Sequence, residues 1–281
     1  MSNVLEIKNL TKYYDGFTLD NISLALPQGS IMGFIGENGA GKSTTIKLIL
    51  NVIHRDRGEV KIFGRDNLIY DSELKQSVGV VYDESNFPES MTPKNINVIL
   101  CRIYRNWDQQ AFFRYLDQFA LPADKELKTF SRGMKMKLSI AVALSHQAKL
   151  LILDEPTSGL DPVVRDEILD IFLDFIQNEE HSIFLSTHIT SDIEKIADYI
   201  AFIHQGKIVF VAEKDELLNQ YGVLKCGFDD FEKLDRRFVK GFRKNRFGVE
   251  ALVEKQRFKG HVIDAATIED IMLFTLRGEK Q

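Results

Sequence analysis

Residues 36 to 44 read GENGAGKST. Gly36, Gly39, Gly41, Lys42 and Ser43 satisfy the pattern G-x-x-x-x-G-K-[ST], between a strand-like run, SIMGFIG, and a helical continuation, TIKLILNVI. Glycines let the backbone curl so that successive N–H groups and a helix N-terminus face phosphate oxygens. Gly36, Asn38, Gly39, Ala40, Gly41, Lys42, Ser43 and Thr44 are therefore the candidate phosphate-binding set. Lys42 is placed to neutralise β- and γ-phosphates, and the Ser43 hydroxyl to hold Mg²⁺. A second stretch, LLILDEP at 150 to 156, ends an apolar run in two acids. Such a run is often only a strand end, but beside a phosphate loop it makes a hydrolysis site. Asp154 is placed to orient Mg²⁺ through water, and Glu155 to polarise a water attacking the γ-phosphate.

Positioning these groups requires strands delivered side by side. Strand-like apolar runs alternate with helical ones along most of the chain, which predicts an α/β domain with parallel strands. With 281 residues, 44% of them hydrophobic, the chain can bury one large domain with an appendage. Without an apolar run of about 18 residues or a signal-like N-terminus, it reads as a soluble protein that stays where it is made. Cys101 and Cys226 lack metal-ligand spacing and read as free thiols in a reducing compartment. The net charge of −5 argues against nucleic-acid affinity for the molecule as a whole, and no specific nucleic acid is expected as partner.

With these parts in order, the chain resembles the nucleotide-binding subunit of ABC transporters over roughly residues 3 to 220. GENGAGKST matches the Walker A motif, LLILDE the Walker B motif, and SGLD at Ser158 to Asp161 the D-loop. His188, in STHIT, resembles the switch histidine. FSRGM, at 130 to 134, stands where the family has its LSGGQ signature, with Arg132 and Met134 departing from Gly and Gln. The resemblance implies two such subunits, identical or related, facing head to tail around two ATP molecules. Ser131 and Gly133 would then contact the γ-phosphate of the opposite subunit's ATP, and Arg132 would either add a cationic contact or face solvent. Glu155 and His188 become the catalytic pair. Tyr14, in TKYYDG, resembles the aromatic residue that stacks on adenine, with Tyr13 as competitor. Asp83 stands where the family has a Gln that touches Mg²⁺ or its water, so Ser43, Asp154 and Asp83 form the implied metal side. Asp83 is expected to act through a water and to link nucleotide state to the loop beginning at Ser85.

The implied fold is an α/β, ABC-type P-loop NTPase with a mixed sheet core, an antiparallel β subdomain, a helical subdomain and a small C-terminal extension. The boundaries expected are 1–220 for the ATPase domain, with the helical subdomain inserted at about 87–146, and 221–281 for an accessory domain that dimerises or regulates. Asp161-Pro162 should open a helix burying Val164, Ile168, Ile171, Phe172, Phe175 and Ile176. Residues 199–212 should form a hairpin around Gln205-Gly206, and 214–221 a helix ending the ATPase core. Between 231 and 260 there are ten Lys or Arg against four Asp or Glu, interleaved with phenylalanines. That pattern suits a solvated basic face, or contact with nucleic acid or anionic lipid. Separate integral-membrane transporter subunits are implied as partners, which would hold the chain at the cytoplasmic face of the cell membrane. Within the family the chain resembles Gram-positive exporter ATPases for amphipathic peptides or antimicrobial compounds, including exporters of phenol-soluble-modulin type. The competing reading is a soluble ABC ATPase acting on ribosomes or DNA, which usually carries tandem domains or a coiled-coil insertion.

Overall fold

Strands that are apolar along their whole length need cover on both faces, and the central sheet meets that need. A computed structural model describes residues 2–83 and 87–278. They divide into two compact units, the first made of the described residues within 1–189 and 199–211, the second of those within 190–198 and 212–281.

The first unit has two sheets. One is antiparallel, ordered β2-β1-β4-β5, from β1 (Asn3–Tyr14), β2 (Phe17–Pro27), β4 (Arg57–Ile62) and β5 (Arg65–Asp66). The other is ordered β10-β9-β3-β8-β7-β6, from β3 (Ile31–Ile35), β6 (Val78–Val81), β7 (Leu150–Asp154), β8 (Ser182–Thr187), β9 (Tyr199–His204) and β10 (Lys207–Glu213). Its strands β9, β3, β8, β7 and β6 are parallel. Every residue of β3, β7 and β8 is buried. Leu5, Leu26, Phe34, Ile46, Val60, Ile152 and Phe184 join both sheets in one core. The register pairs Val81 with Leu153, Asp154 with Ser186 and Ile35 with Thr187. The C-terminal ends of β6, β7, β8 and β3 are therefore level, the edge at which open α/β sheets bind ligands.

Helices α1 (Lys42–Ile49), α2 (Asp71–Leu74), α3 (Pro93–Ile103), α4 (Gln109–Gln118), α5 (Arg132–Leu144) and α6 (Pro162–Phe175) complete the unit. The stretch expected to be helical holds α3, α4 and α5, started by side-chain caps at Thr92, Asp108 and Ser131. Asp161 caps α6 by accepting from the N–H groups of Val163 and Val164, with Pro162 at its first position. The apolar face of α6 differs from expectation. Ile168, Leu169 and Phe172 are fully buried, while Val164, Ile171, Phe175 and Ile176 are half-buried. The seam thus runs through Leu169, one residue around the helix from the stripe read in sequence.

The Gln205-Gly206 turn joins β9 to β10 with φ of 46° and 76°. Gly206 donates its N–H to Ala40 O at 2.9 Å and accepts from Asp20 N at 2.8 Å, so the hairpin braces the phosphate loop. A Cβ at Gly206 would lie 1.9 Å from Thr18 O, so only glycine fits.

The second unit contains α7 (Thr190–Ile196), α8 (Lys214–Gln220), α9 (Phe228–Glu232), α10 (Ile268–Arg277) and a sheet ordered β12-β13-β11-β14. Its strands, β11 (Tyr221–Cys226), β12 (Val239–Asn245), β13 (Gly248–Glu254) and β14 (Ile263–Ala265), pair antiparallel. The division falls nine residues before the boundary read at Gln220, because Lys255 Nζ donates to Leu218 O at 2.8 Å and draws α8 into this unit. Helix α7 joins it for a similar reason. Glu194 accepts from Ile268 N at 2.7 Å through its carboxylate, and from Lys214 Nζ at 3.1 Å through its carbonyl. Several cations of the basic stretch cover aromatic rings. Arg236 lies 3.8 Å from the Phe231 ring centre and Arg257 lies 4.7 Å from that of Phe238. Among the described residues, no helix is long and apolar enough to cross a membrane.

Candidate functional site

The loop leaving β3 turns because two of its glycines adopt backbone angles that side chains disfavour, φ being 81° at Gly39 and 112° at Gly41. Gly36 is needed for closeness, since a Cβ there would lie 2.4 Å from Ile203 O. The loop runs into α1 with Lys42 as first residue. The Lys42 ammonium is buried and donates to Gly36 O at 2.8 Å and Glu37 O at 3.3 Å. It also lies 3.2 Å from Glu155 Oε1.

Asp154 ends β7 and is buried. Ser186 Oγ, on the neighbouring strand, donates to its Oδ1 at 3.0 Å, and Ser43 supplies a second hydrogen bond. Burial pushes the Asp154 carboxyl above the usual aspartate range, against the opposing pull of those two hydroxyls and Lys42. The donors gathered here are hydroxyl and carboxylate oxygens, the hard ligands that Mg²⁺ prefers, so the residues fit that ion. The neighbouring Tyr82 phenol is raised by burial and, secondarily, by the charge of Asp154.

Glu155 leaves the strand with φ of 51°, a left-handed angle unusual for a non-glycine residue, and its N–H is held by Ser186 O at 2.9 Å. The turn aims the carboxylate across the sheet edge. Its Oε2 is 2.7 Å from His188 Nδ1 and accepts the His188 backbone N–H at 3.3 Å. Glu155 is therefore held on one oxygen by the residue after β8 and approached on the other by the phosphate-loop lysine. Its side chain is 12% exposed and that of His188 is 42% exposed, so the pair borders solvent.

Tyr14 is exposed at the end of β1, with its ring centre 6.5 Å from that of Phe17. Phe17 in turn packs beside Gly41 of the phosphate loop. Tyr13, the neighbour in sequence, points to the other side of the strand, where it lines an open polar groove with Lys8, Asp20 and Arg57.

Ser131, Gly133, Arg132 and Asp83 form a second cluster. Ser131 Oγ accepts the Met134 N–H at 3.2 Å, which caps α5 and leaves its own proton available for donation. Around Gly133 the nearest heavy atom to an added Cβ would be Val164 Cγ1 at 3.4 Å. Ser131, Arg132 and Gly133 line a pocket of about 260 Å³ with Gly159, Leu160 and Asp161. Asp83, read as part of the metal side, has Oδ1 2.5 Å from Arg132 Nη2. Residues 84–86, with which the loop beginning at Ser85 starts, lie outside the described residues.

Two supporting residues escaped the sequence reading. Ser186 is a buried hydroxyl near the end of an apolar strand, and that polar interruption was the available signal. Phe17 follows a turn with no feature marking it as a neighbour of the phosphate loop.

The profile of the family described as ABC transporter matches residues 19–158. The bacitracin transport ATP-binding protein BcrA of Bacillus licheniformis is 35% identical over 212 residues, 74% of this chain and 69% of that one. The lantibiotic transport ATP-binding protein SrtF of Streptococcus pyogenes is 35% identical over 216 residues, 75% of this chain and 92% of that one. A solved structure of the ATP-binding subunit of an ABC transporter superposes with a TM-score of 0.68 at 27% identity, covering 77% of this chain and 92% of that one. With the phosphate loop, the paired acids and the histidine meeting at one sheet edge, the chain belongs to the ABC transporter family, and its site is that of an ATP-binding, ATP-hydrolysing domain.

Proposed function

We propose that the chain hydrolyses Mg²⁺-ATP as one half of a head-to-tail pair of ATPase subunits and drives separate integral-membrane subunits that export amphipathic peptides or antimicrobial compounds. The observation that carries the chemistry is Glu155 between His188 Nδ1, at 2.7 Å, and Lys42 Nζ, at 3.2 Å. A carboxylate so oriented is a general base for water, and the lysine beside it is the cation for β- and γ-phosphates. Ser43 and Asp154 would hold Mg²⁺, which when bound neutralises developing phosphate charge. Tyr14 offers an exposed ring for adenine.

Pairing is supported by the second cluster. Ser131 and Gly133 present a hydroxyl and an open backbone at the start of a helix 13 residues long, suited to a phosphate held by another subunit. Export of peptides or antimicrobial compounds is supported by the relatives whose names specify bacitracin and lantibiotic transport. Attachment to membrane subunits would place the chain at the cytoplasmic face of the membrane.

The test is transport in inside-out membrane vesicles containing the chain and its membrane partner, with a labelled amphipathic antimicrobial peptide. Export predicts ATP-dependent accumulation inside the vesicles, lost in Glu155→Gln. ATP-dependent uptake seen only in right-side-out vesicles loaded with ATP would reverse the direction.

A further inference from the structure

The first turn of α5 carries two cations three residues apart, Arg132 and Lys135, which share one face of the helix. Each meets an acid on a different part of the chain after β6. Arg132 Nη2 is 2.5 Å from Asp83 Oδ1, and Lys135 Nζ is 2.8 Å from Glu89 Oε1. Asp83 stands two residues beyond the end of β6, and Glu89 stands where the chain is tied by its carbonyl, which accepts the Lys128 N–H at 2.9 Å. The Lys135 ammonium holds the Glu89 carboxyl below the usual glutamate range. The guanidinium of Arg132 also passes over the D-loop turn. A Cβ at Gly159 would lie 2.7 Å from its Nη1, so the glycine leaves the space that the arginine occupies.

Arg132 and Asp83 are also two of the three positions, with Met134, at which this chain departs from the family pattern, Arg for Gly and Asp for Gln. A Gly and a Gln could not form this ion pair. The two departures are complementary in charge and meet in space, although 49 residues separate them.

We propose that Arg132–Asp83 and Lys135–Glu89 form a two-point clamp in which Arg132 and Lys135 are positioning residues. The clamp binds the turn that carries Ser131 to the chain leaving β6, so a displacement of either is transmitted to the other. Asp83 then serves the signature turn of its own subunit, and Mg²⁺ is left to Ser43 and Asp154. The meaning of the clamp for transport rests on the function proposed above, but the clamp itself does not.

Hydrogen–deuterium exchange of the full chain without nucleotide tests it directly. Asp83→Asn and Arg132→Gln should each speed exchange of the Met134 and Lys135 amides by about two- to five-fold, the range open to an exposed ion pair. The double variant should be no faster than the faster single one, and Glu89→Gln with Lys135→Gln should behave alike. In 1 M salt, wild type should approach the variants, because screening weakens such pairs. Multiplying effects in the double variant, or unchanged exchange in both singles, would overturn the clamp. A second readout separates it from metal binding. If Asp83→Asn raised the Mg²⁺ concentration for half-maximal ATP turnover equally with and without Arg132→Gln, Asp83 would serve the metal and the proposal would fail. Absence of ATP turnover in wild type would instead count against the proposed function, with the exchange result unaffected.

Discussion

His188 Nδ1 and Glu155 Oε2 lie 2.7 Å apart, although the residues are 33 positions apart in sequence and leave different strands. The contact exists because β7 and β8 run parallel with Asp154 level with Ser186. It holds the strand-end acid in one orientation, which suits the proposed role as a base, since a held carboxylate reaches a water without searching rotamers.

Replacing that base should separate binding from turnover. Glu155→Gln keeps the shape, loses the charge that faces Lys42, and should lower ATP hydrolysis by roughly 10² or more. ATP binding should persist, and the variant should accumulate as an ATP-bound dimer during gel filtration. Normal steady-state hydrolysis would remove Glu155 from the role.

Composite sites make a distinctive prediction for mixed dimers. When Ser131→Arg is on one subunit and Lys42→Ala on the other, both lesions fall in the same composite site, and about half of the activity should remain. When both changes are on one subunit, each site carries one lesion and little activity should survive. The opposite order, measured on tagged and purified hybrids, would place both groups in one site of a single chain.

Stacking on adenine should depend on Tyr14 and not on Tyr13. Tyr14→Ala removes an aromatic contact of about 1 kcal/mol and should weaken ATP binding about five-fold, with Tyr14→Phe close to wild type. Tyr13→Ala should leave affinity unchanged in a fluorescent-nucleotide titration. A larger loss from Tyr13→Ala would exchange the roles.

The buried His146 predicts a pH dependence of stability. Its ring stacks on Tyr104 with centres 4.0 Å apart, and burial lowers its pKa from the ordinary 6.5, outweighing its hydrogen bond to Gln76 O. The unfolded chain therefore binds this proton more readily than the folded one. The stability that neutral His146 provides is full above 6.5 and is lost as pH falls from there through the lowered folded value. Thermal melts should show His146→Gln to have a shallower fall in melting temperature over that window, from a lower starting point because the stack is gone. A slope equal to wild type would exclude His146 as the source.

Groups that depend on neighbours in the chain were legible without the fold. Lys42 and Ser43 follow their glycines directly and Asp154 and Glu155 end one apolar run, so spacing singled them out, while Ser131 was legible by itself only as the cap of the helix it precedes. The apolar strands β3, β7 and β8 were equally clear, because burial on both faces demands an uninterrupted run. Partners separated along the chain were not. Ser186 reaches Asp154 only through the strand register, and α7 joins the second unit only through hydrogen bonds of Glu194 to residues 20 and 74 positions away. Asp83 shows the difference most sharply. The order of motifs places it on the implied metal side, but that order does not reveal which charge of its own chain stands opposite. Folding brings the guanidinium of Arg132 to that carboxylate across 49 residues, and a choice between partners at such separation is made by packing, where charges within a few ångströms decide the contact.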